Sequence, residues 1–331
     1  MQRSEQSGAL EVQITRAQHM IEKVRQELSR RIVGQTEMVD GLLTGILVGG
    51  HVLLEGVPGL AKTLTVKSLS EVLDAVFHRI QFTPDLLPAD LVGTMVYRQQ
   101  TGEFVPRKGP VFANIVLADE INRAPAKVQS ALLEAMEERQ VTIGDTTYSL
   151  PDPFFVLATQ NPIEQEGTYP LPEAQLDRFM LKLFVDYPTV EEEREILRRV
   201  GVPAPIELQR TIFKTDIKKL REIVSQVTVD DRIADYMVRL VTSTRSDGDN
   251  GRMGPLRYIE FGASPRASIY LYRCAKVRAV FDGRTYVIPE DVKAVALDVL
   301  RHRVVLSYEA DSEELSSDDV VDMFLSTVPV P

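Results

Sequence analysis

Tryptophan is absent from the 331-residue chain, and Cys274 is its only cysteine. A single thiol cannot form an intrachain disulfide, which fits a reducing compartment and predicts a cytoplasmic protein. The four histidines, His19, His51, His78 and His302, are scattered along the sequence. None has the spacing to a second His or Cys that a metal site requires, so no site of that kind is expected.

Long apolar runs are also missing. The longest stretch without a charged residue, residues 41–54, is interrupted by glycines and too short to span a bilayer. The polar first residues lack the apolar core of a signal peptide, so no membrane insertion is expected. Lys and Arg number 38 against 48 Asp and Glu, and the resulting net charge of −10 disfavours non-specific nucleic-acid binding.

The chain is organised around residues 51–65. Val52 to Leu54 predict a short buried strand, the turn Gly56-Val-Pro-Gly59 follows, and the apolar spacing from Lys62 to Leu73 predicts a helix. This is the setting of a phosphate-binding loop, in which backbone N–H groups and a helix N-terminus attract anions. Lys62 can then reach the β- and γ-phosphates of a nucleotide, and the Thr63 hydroxyl can ligate Mg²⁺.

Ala61 departs from the loop pattern G-x-x-x-x-G-K-[ST], which has a second glycine at this position. A methyl group costs little here if the backbone keeps a negative φ, but it would strain a left-handed conformation. The alternative to a phosphate-binding loop is a chance Gly-Pro-Gly turn in front of an amphipathic helix.

An acidic pair ends a second apolar run. Residues 115–118 predict a buried parallel strand, and Asp119 and Glu120 stand at its carboxyl end, where open α/β sheets bind ligands. Asp119 is placed to hold Mg²⁺, directly or through water, and Glu120 to orient or deprotonate a water that attacks the γ-phosphate. Such a run is common by itself, and its position about 60 residues after the loop makes it informative.

Other polar residues stand at the ends of predicted elements. Asn161 ends a strand predicted over 154–161, where it could hydrogen-bond the γ-phosphate or simply cap the strand. Arg178 precedes a predicted fifth strand. Arg266 follows Ser264 and Pro265, an N-cap and a first-turn proline, so it could face a phosphate at a helix start. An ordinary surface arginine is the alternative at both arginine positions.

Two stretches are not needed by a doubly wound core. Residues 83–109 form a long loop whose interleaved apolar residues favour a functional role over disorder, with structural filler as the alternative. Residues 140–150 alternate about Gly144-Asp145, which predicts a β-hairpin that projects. From about residue 190 helices dominate, so we expect a domain boundary near Pro188. The predicted helices span 191–200, 216–227, 232–244, 265–281 and 289–303.

Five motifs in order resemble those of AAA+ ATPases, and most closely the MoxR family. They are Gly56-Val-Pro-Gly-Leu-Ala-Lys-Thr63, Leu117-Ala-Asp-Glu-Ile-Asn-Arg-Ala-Pro125, Ala158-Thr-Gln-Asn-Pro162, Leu171-Pro-Glu-Ala-Gln-Leu-Asp-Arg-Phe179 and Gly262-Ala-Ser-Pro-Arg266. The resemblance includes Ala61 in place of the second glycine. It implies an α/β AAA+ P-loop core with a five-stranded parallel sheet, followed by a smaller all-α lid domain.

The implied domains are an N-terminal helix over 1–30, the ATPase core over 31–188 and the helical lid over 189–331. Within the core, residues 83–109 resemble the helix-2 insert, and residues 140–153 resemble the hairpin before sensor 1. In similar rings both inserts line the central pore.

The resemblance also implies roles for single residues. Lys62 and Thr63 match the Walker A pair, Asp119 and Glu120 match the Walker B pair, and Asn161 resembles sensor 1. The implied Mg²⁺ ligands are Thr63 and Asp119. Arg178 looks like an arginine finger for ATP on the neighbouring subunit, and Arg266 looks like sensor 2, in cis or in trans. The implied ATP contacts are Val33, Gly34, Gly56, Pro58, Gly59, Leu60, Ala61, Lys62, Thr63 and Leu64.

A finger supplied in trans would couple hydrolysis to assembly, since such an arginine changes the rate by roughly 10³–10⁵. The resemblance implies a hexameric ring that binds ATP or ADP with Mg²⁺ and remodels or matures a client protein, with metal insertion as one form of maturation. A client with a von Willebrand factor A domain is implied. The alternative is a nucleic-acid-translocating motor, because helicase-type relatives share both inserts and Arg98, Arg107 and Lys108 are basic. The acidic composition argues against nucleic acid as a partner.

Overall fold

The computed structural model describes residues 2–57, 59–161, 167–200, 206–245 and 254–331. The strands are β1 (Val52–Glu55), β2 (Phe77–Gln81), β3 (Gly93–Arg98), β4 (Glu103–Lys108), β5 (Ile115–Asp119), β6 (Gln140–Ile143), β7 (Thr146–Ser149), β8 (Phe155–Gln160), β9 (Leu181–Phe184), β10 (Ile259–Phe261) and β11 (Val305–Leu306).

The α-helices are α1 (Gln2–Ser29), α2 (Thr36–Val48), α3 (Lys62–Val72), α4 (Pro88–Val92), α5 (Ala126–Glu138), α6 (Glu173–Leu176), α7 (Val190–Val200), α8 (Lys214–Gln226), α9 (Asp231–Thr242), α10 (Pro265–Phe281), α11 (Pro289–Leu300), α12 (Tyr308–Ser312) and α13 (Ser317–Thr327). None of these helices combines the length and the apolar composition that crossing a bilayer requires.

One five-stranded sheet has the order β2-β5-β8-β1-β9. β1 pairs with β8, β8 with β5, and β5 with β2, all in parallel, so that Ala118 lies opposite Ala158. The side chains of β1, β5 and β8 are buried because these strands are almost wholly apolar, as a sheet covered on both faces requires. The predicted five-stranded parallel sheet is confirmed. The carboxyl ends of β1, β5 and β8 meet at one edge.

The first stretch outside the predicted core, residues 83–109, is structured. It contains α4 and an antiparallel hairpin in which β3 pairs with β4. Leu91 on α4 is fully buried in the core cluster that also contains Phe82 and Val116. The expectation that this stretch is a long loop is therefore wrong, because a turn of helix brings an apolar side chain into the core.

The second stretch forms the predicted hairpin, with β6 paired to β7. The expectation that it projects is wrong for β6. Its alternate residues Val141 and Ile143 are buried in the same core cluster, because the side chains of a strand alternate between two faces and one face here is apolar.

Two compact units can be distinguished. The sheet unit comprises Glu22–Phe179 and Leu183–Lys218, and the helical unit comprises Met1–Ile21, Met180–Lys182 and Lys219–Pro331. Residues 183–218 group with the sheet unit. The boundary that the sequence predicts near Pro188 falls inside this range, and it remains a prediction.

The five helices predicted after residue 190 are present, and their ends fall within three residues of the expected positions. The helical unit also contains α12, α13 and a short antiparallel pair of β10 with β11, which sequence analysis did not predict. Among the described residues, the lid region is thus helical apart from this pair and an isolated parallel bridge between Thr228 and Tyr286.

Candidate functional site

The loop after β1 is shaped by two glycines. A Cβ atom on Gly56 would lie 2.7 Å from the carbonyl oxygen of Val185, so the close approach of these two backbones requires glycine. Gly59 has a φ of +89°, a conformation that other residues rarely adopt. These two positions turn the chain from β1 into α3, which begins at Lys62.

Ala61 adopts the left-handed conformation, with φ 55° and ψ 15°, directly before α3. A Cβ atom in this region costs roughly 1–2 kcal/mol through its contact with the following carbonyl. The condition under which the methyl group would be harmless, a negative φ, is therefore not met. The left-handed backbone explains why the general loop pattern has a glycine at this position, and the sequence alone does not show that conformation.

Lys62 lies at the first turn of α3 and reaches back across the loop. Its Nζ donates a 2.6 Å hydrogen bond to the carbonyl oxygen of Gly56. Burial lowers the pKa of Lys62, and the carboxylates of Asp119, Glu120 and Glu55 oppose this effect in that order. A half-buried ammonium group at this position is well suited to an anionic ligand.

Asp119 ends β5 and is held by two neighbouring strands. The Thr159 hydroxyl on β8 donates a 2.6 Å hydrogen bond to its Oδ1. Arg79 on β2 donates to its Oδ2 from Nε at 3.0 Å and from Nη2 at 2.6 Å. The carboxylate therefore has a fixed orientation toward the edge of the sheet.

Glu120 follows in a left-handed conformation, with φ 56° and ψ 52°. Its backbone N–H donates to the Thr159 hydroxyl oxygen at 2.8 Å, which ties the turn to β8. Gln81 Nε2 donates to its Oε2 at 2.8 Å, and Arg123 Nη1 lies 3.3 Å from the same oxygen. Thr159 thus positions both acids, one through a side chain and one through a backbone group.

These groups surround a cavity of about 410 Å³. Its lining residues are Gly59, Leu60, Ala61, Lys62, Thr63, Leu64, Arg79, Asp119, Glu120, Thr159, Gln160 and Asn161. The structure therefore brings the predicted loop, the acidic pair and Asn161 to one place. Asn161 itself is almost fully buried.

A second cavity, also of about 410 Å³, shares Gly59, Leu60 and Ala61 with the first. Its other lining residues are Val33, Gln35, Tyr187, Pro188, Glu193, Ile196 and Leu197. The loop thus separates a polar cavity from a more apolar one. Gly34 is not among the lining residues, but it has a φ of +65°, and a Cβ there would lie 2.2 Å from Glu192 Oε1.

Some predicted site residues lie elsewhere or cannot be described. Gly56 contributes its carbonyl to Lys62 but does not line either cavity described above. Arg178 does not line them either, and its Nη2 lies 3.3 Å from Glu137 Oε2. Arg266 belongs to the helical unit, where its backbone N–H donates to the Ser264 side chain at 3.2 Å and so begins α10. Pro58 lies outside the described residues.

Two residues of β2 beside the acidic pair were not predicted. Arg79 lines the polar cavity, and Gln81 occupies the alternate position of the strand and so shares its face. That alternation, beside a strand ending in Asp-Glu, was the available signal. Tyr187 and Leu197 line the second cavity and are 71% and 73% exposed. They were not predicted, because their exposure is a property of the fold and not of the local sequence.

Comparison with known proteins gives consistent matches. Residues 51–181 match the model of the ATPase family associated with various cellular activities (AAA), and residues 257–323 match the AAA lid domain. Chaperone MoxR1 of Mycobacterium tuberculosis is 52% identical over 313 residues, which cover 95% of this chain and 83% of that protein. Protein MoxR of Methylorubrum extorquens is 31% identical over 329 residues, with 93% and 94% covered. The crystal structure of a candidate ATPase from Cytophaga hutchinsonii is 51% identical, with a TM-score of 0.90 over 99% of both chains.

Proposed function

The chain belongs to the MoxR family of AAA ATPases, and on this premise we propose that it binds ATP with Mg²⁺ and hydrolyses it in the polar cavity. Membership of an ATPase family by itself implies nucleotide binding and ATP hydrolysis. The observation that carries the assignment to this cavity is the meeting of Lys62, Asp119, Glu120 and Asn161 around the loop before α3.

The loop and α3 bind the phosphates in this proposal. The N-terminus of an eleven-residue helix attracts anions through its free N–H groups and its dipole. Lys62 adds a full positive charge at that point and reaches the β- and γ-phosphates. Val33 and the apolar residues Tyr187 and Leu197 of the second cavity hold the base, because a flat apolar ring gains most from apolar walls.

The residues at the polar cavity fit a magnesium ion. Mg²⁺ takes one or two protein oxygens and completes its shell with waters and substrate phosphates, so it needs no cage of several carboxylates. Asp119 and Thr63 supply one carboxylate and one hydroxyl, and no cluster of three or more metal-binding side chains occurs in the described ranges. When bound, the ion supplies charge neutralisation at the β- and γ-phosphate oxygens.

Glu120 is the catalytic residue in this proposal. Its carboxylate orients or deprotonates the water that attacks the γ-phosphate. Gln81 donates to this carboxylate, and Thr159 accepts from the backbone N–H of Glu120. Asn161, buried beside it, hydrogen-bonds the γ-phosphate or the same water.

Two arginines complete the proposed machinery. Arg178 acts as a finger on ATP of a neighbouring subunit, which is supported by its position outside the lining of the polar cavity of its own chain. Arg266 acts as sensor 2. Hydrolysis would then require a ring, and we propose a hexamer.

The work of this ring is chaperone-like remodelling or maturation of client proteins in the cytoplasm. The name of the mycobacterial relative, chaperone MoxR1, supports this proposal. So does the β3–β4 hairpin, on which Tyr97 and Phe104 pair their rings at 5.2 Å and stay 52% and 66% exposed. A partner with a von Willebrand factor A domain, and metal insertion into that partner, are the finer forms of this proposal.

The variant Glu120→Gln tests the catalytic assignment. We expect the hydrolysis rate to fall by at least about 100-fold, as general-base loss typically does, while ATP binding is retained. Glu134→Gln, which neutralises an exposed acid on α5, should leave both unchanged. Hydrolysis by Glu120→Gln at the wild-type rate would remove Glu120 from the mechanism.

A further inference from the structure

Both carboxylate oxygens of Asp119 are already engaged. Thr159 donates to Oδ1, and Arg79 donates twice to Oδ2, from Nε at 3.0 Å and from Nη2 at 2.6 Å. Nη2 of Arg79 also donates to Gln81 Oε1 at 2.8 Å, which orients the guanidinium plane. The guanidinium group of Arg79 therefore occupies Oδ2, the oxygen of Asp119 that would otherwise be most available to a metal ion.

The two partners differ in their freedom to move. The Asp119 side chain is 14% exposed and is fixed by a strand and by Thr159, whereas the Arg79 side chain is 49% exposed. Arg79 also lines the polar cavity. Rotation of the long Arg79 side chain can therefore free Oδ2 without any movement of the sheet.

The charges around the polar cavity cancel. Among its lining residues, Lys62 and Arg79 carry two positive charges, and Asp119 and Glu120 carry two negative charges. A divalent cation that enters alone is repelled by Lys62 and Arg79, which stand beside its ligands. A triphosphate that enters with the cation brings negative charge for both of these groups to bind.

From this arrangement we propose that Arg79 is a positioning residue that holds Oδ2 of Asp119 and makes divalent-metal binding there conditional on the triphosphate. Arg79 turns from Asp119 toward the phosphates as the metal–nucleotide complex enters. This inference rests on the proposed function, because Asp119 is a metal ligand only if the cavity takes such a complex.

Binding of Mn²⁺, a paramagnetic substitute for Mg²⁺, to the full-length protein without nucleotide tests the inference. Free Mn²⁺ is measured by electron paramagnetic resonance. Arg79→Ala should bind Mn²⁺ at least about tenfold more tightly than the wild type, because Asp119 loses its competing cation. Arg79→Lys should fall between the two, because it keeps the positive charge but loses the paired donation to Oδ2. An Arg79→Ala variant that binds Mn²⁺ no more tightly than the wild type overturns the inference.

The coupling to nucleotide gives a second readout. The dissociation constant of a fluorescent, non-hydrolysable ATP analogue from the protein is measured once in the presence of Mn²⁺ and once in the presence of a chelator. The ratio of these two constants measures the coupling between metal and nucleotide. This ratio should be at least about tenfold smaller in Arg79→Ala, since the metal no longer depends on the triphosphate to displace an arginine. An unchanged ratio overturns the inference.

Two control variants show whether the change in Mn²⁺ binding arises at Asp119, and the wild-type measurements show which proposal has failed. Arg210→Ala breaks an exposed Arg–Asp pair of 3.0 Å, with Asp74, and should leave Mn²⁺ affinity unchanged. Asp119→Asn added to Arg79→Ala should abolish the gain. If the wild type binds the analogue and hydrolyses ATP but Arg79→Ala changes neither readout, only the role of Arg79 is wrong. If the wild type binds no analogue, the proposed function fails and this inference fails with it.

Discussion

The Nζ atom of Lys62 lies 2.6 Å from the carbonyl oxygen of Gly56, so the lysine donates a hydrogen bond across its own loop. Burial lowers its pKa while three carboxylates oppose that effect. The ammonium group is thus held at the centre of the loop, where phosphates would replace or join the carbonyl as its acceptor.

Replacement of Lys62 by alanine should therefore impair ATP binding. A hydrogen bond to a charged group contributes about 1.5–3 kcal/mol, which corresponds to a loss of roughly 10-fold to 150-fold in affinity. Titration with a fluorescent ATP analogue measures this change. Lys67→Ala removes an exposed lysine from the same helix and should bind like the wild type. Wild-type affinity in Lys62→Ala would contradict the placement of phosphates in this loop.

Ala61 provides a prediction about stability. Because Ala61 has a φ of 55°, Ala61→Gly removes the steric cost of a Cβ atom in the left-handed conformation. Glycine also raises the conformational entropy of the unfolded chain, which opposes this gain, so we expect a net stabilisation of about 0–1 kcal/mol. Ala61→Val should instead destabilise the protein by more than about 1 kcal/mol, since a β-branched side chain is least tolerant of this conformation. Thermal unfolding followed by circular dichroism distinguishes the two. Equal melting temperatures would show that the loop relaxes around the substitution.

The parts of the site that could be predicted share one property. Asp119, Glu120 and Asn161 each follow a short apolar run, and such runs identify buried parallel strands whose carboxyl ends meet at one edge. Lys62 could be predicted for the same reason, with the glycine-rich turn as a second signal. Local sequence is therefore enough to predict a site residue when that residue stands at the end of a strand whose place in the sheet is already known.

The remaining parts depend on tertiary structure. Arg79 and Gln81 sit on a strand with exposed positions, where a polar side chain that faces a site looks the same as one that faces water. Ala61 could not be assigned a left-handed φ, because that conformation is imposed by the turn around it. Leu91 lies in a stretch whose prolines and glycines indicate a loop, so its burial in the core could be recognised only from the packing of α4.

Arg178 provides a test of shared sites between subunits. The ATPase rate per molecule should rise with protein concentration in the wild type, because a finger from a neighbour is available only after assembly. Arg178→Ala should lower the rate of the assembled protein by roughly 10³–10⁵. Arg210→Ala, which removes an exposed arginine that is paired with Asp74, is the control. A rate that is independent of both concentration and Arg178 would place the finger elsewhere in the chain.

His51 makes the stability of the fold depend on pH. Its Nδ1 accepts a 3.0 Å hydrogen bond from the Val156 backbone N–H, and its Nε2 lies 3.1 Å from the Met136 carbonyl oxygen. Both bonds suit a neutral ring with its proton on Nε2. Burial lowers the pKa of His51 from 6.5 to about 4, against the hydrogen bond to Met136, and the charge of Arg139 lowers it further.

The direction of the effect follows from proton uptake. Between pH 6.5 and about 4 the unfolded chain protonates this histidine while the folded protein does not, so the free energy of unfolding falls as pH is lowered through this window. The contribution is at most about 3 kcal/mol. Urea unfolding of the wild type and of His51→Gln, followed by circular dichroism, isolates it. Glutamine does not titrate, so the stability difference between the two proteins should shrink from pH 7 to pH 4, whereas His19→Gln, at an exposed position, should follow the wild type. A difference that stays constant with pH would mean that His51 is protonated in the folded protein as readily as in the unfolded chain.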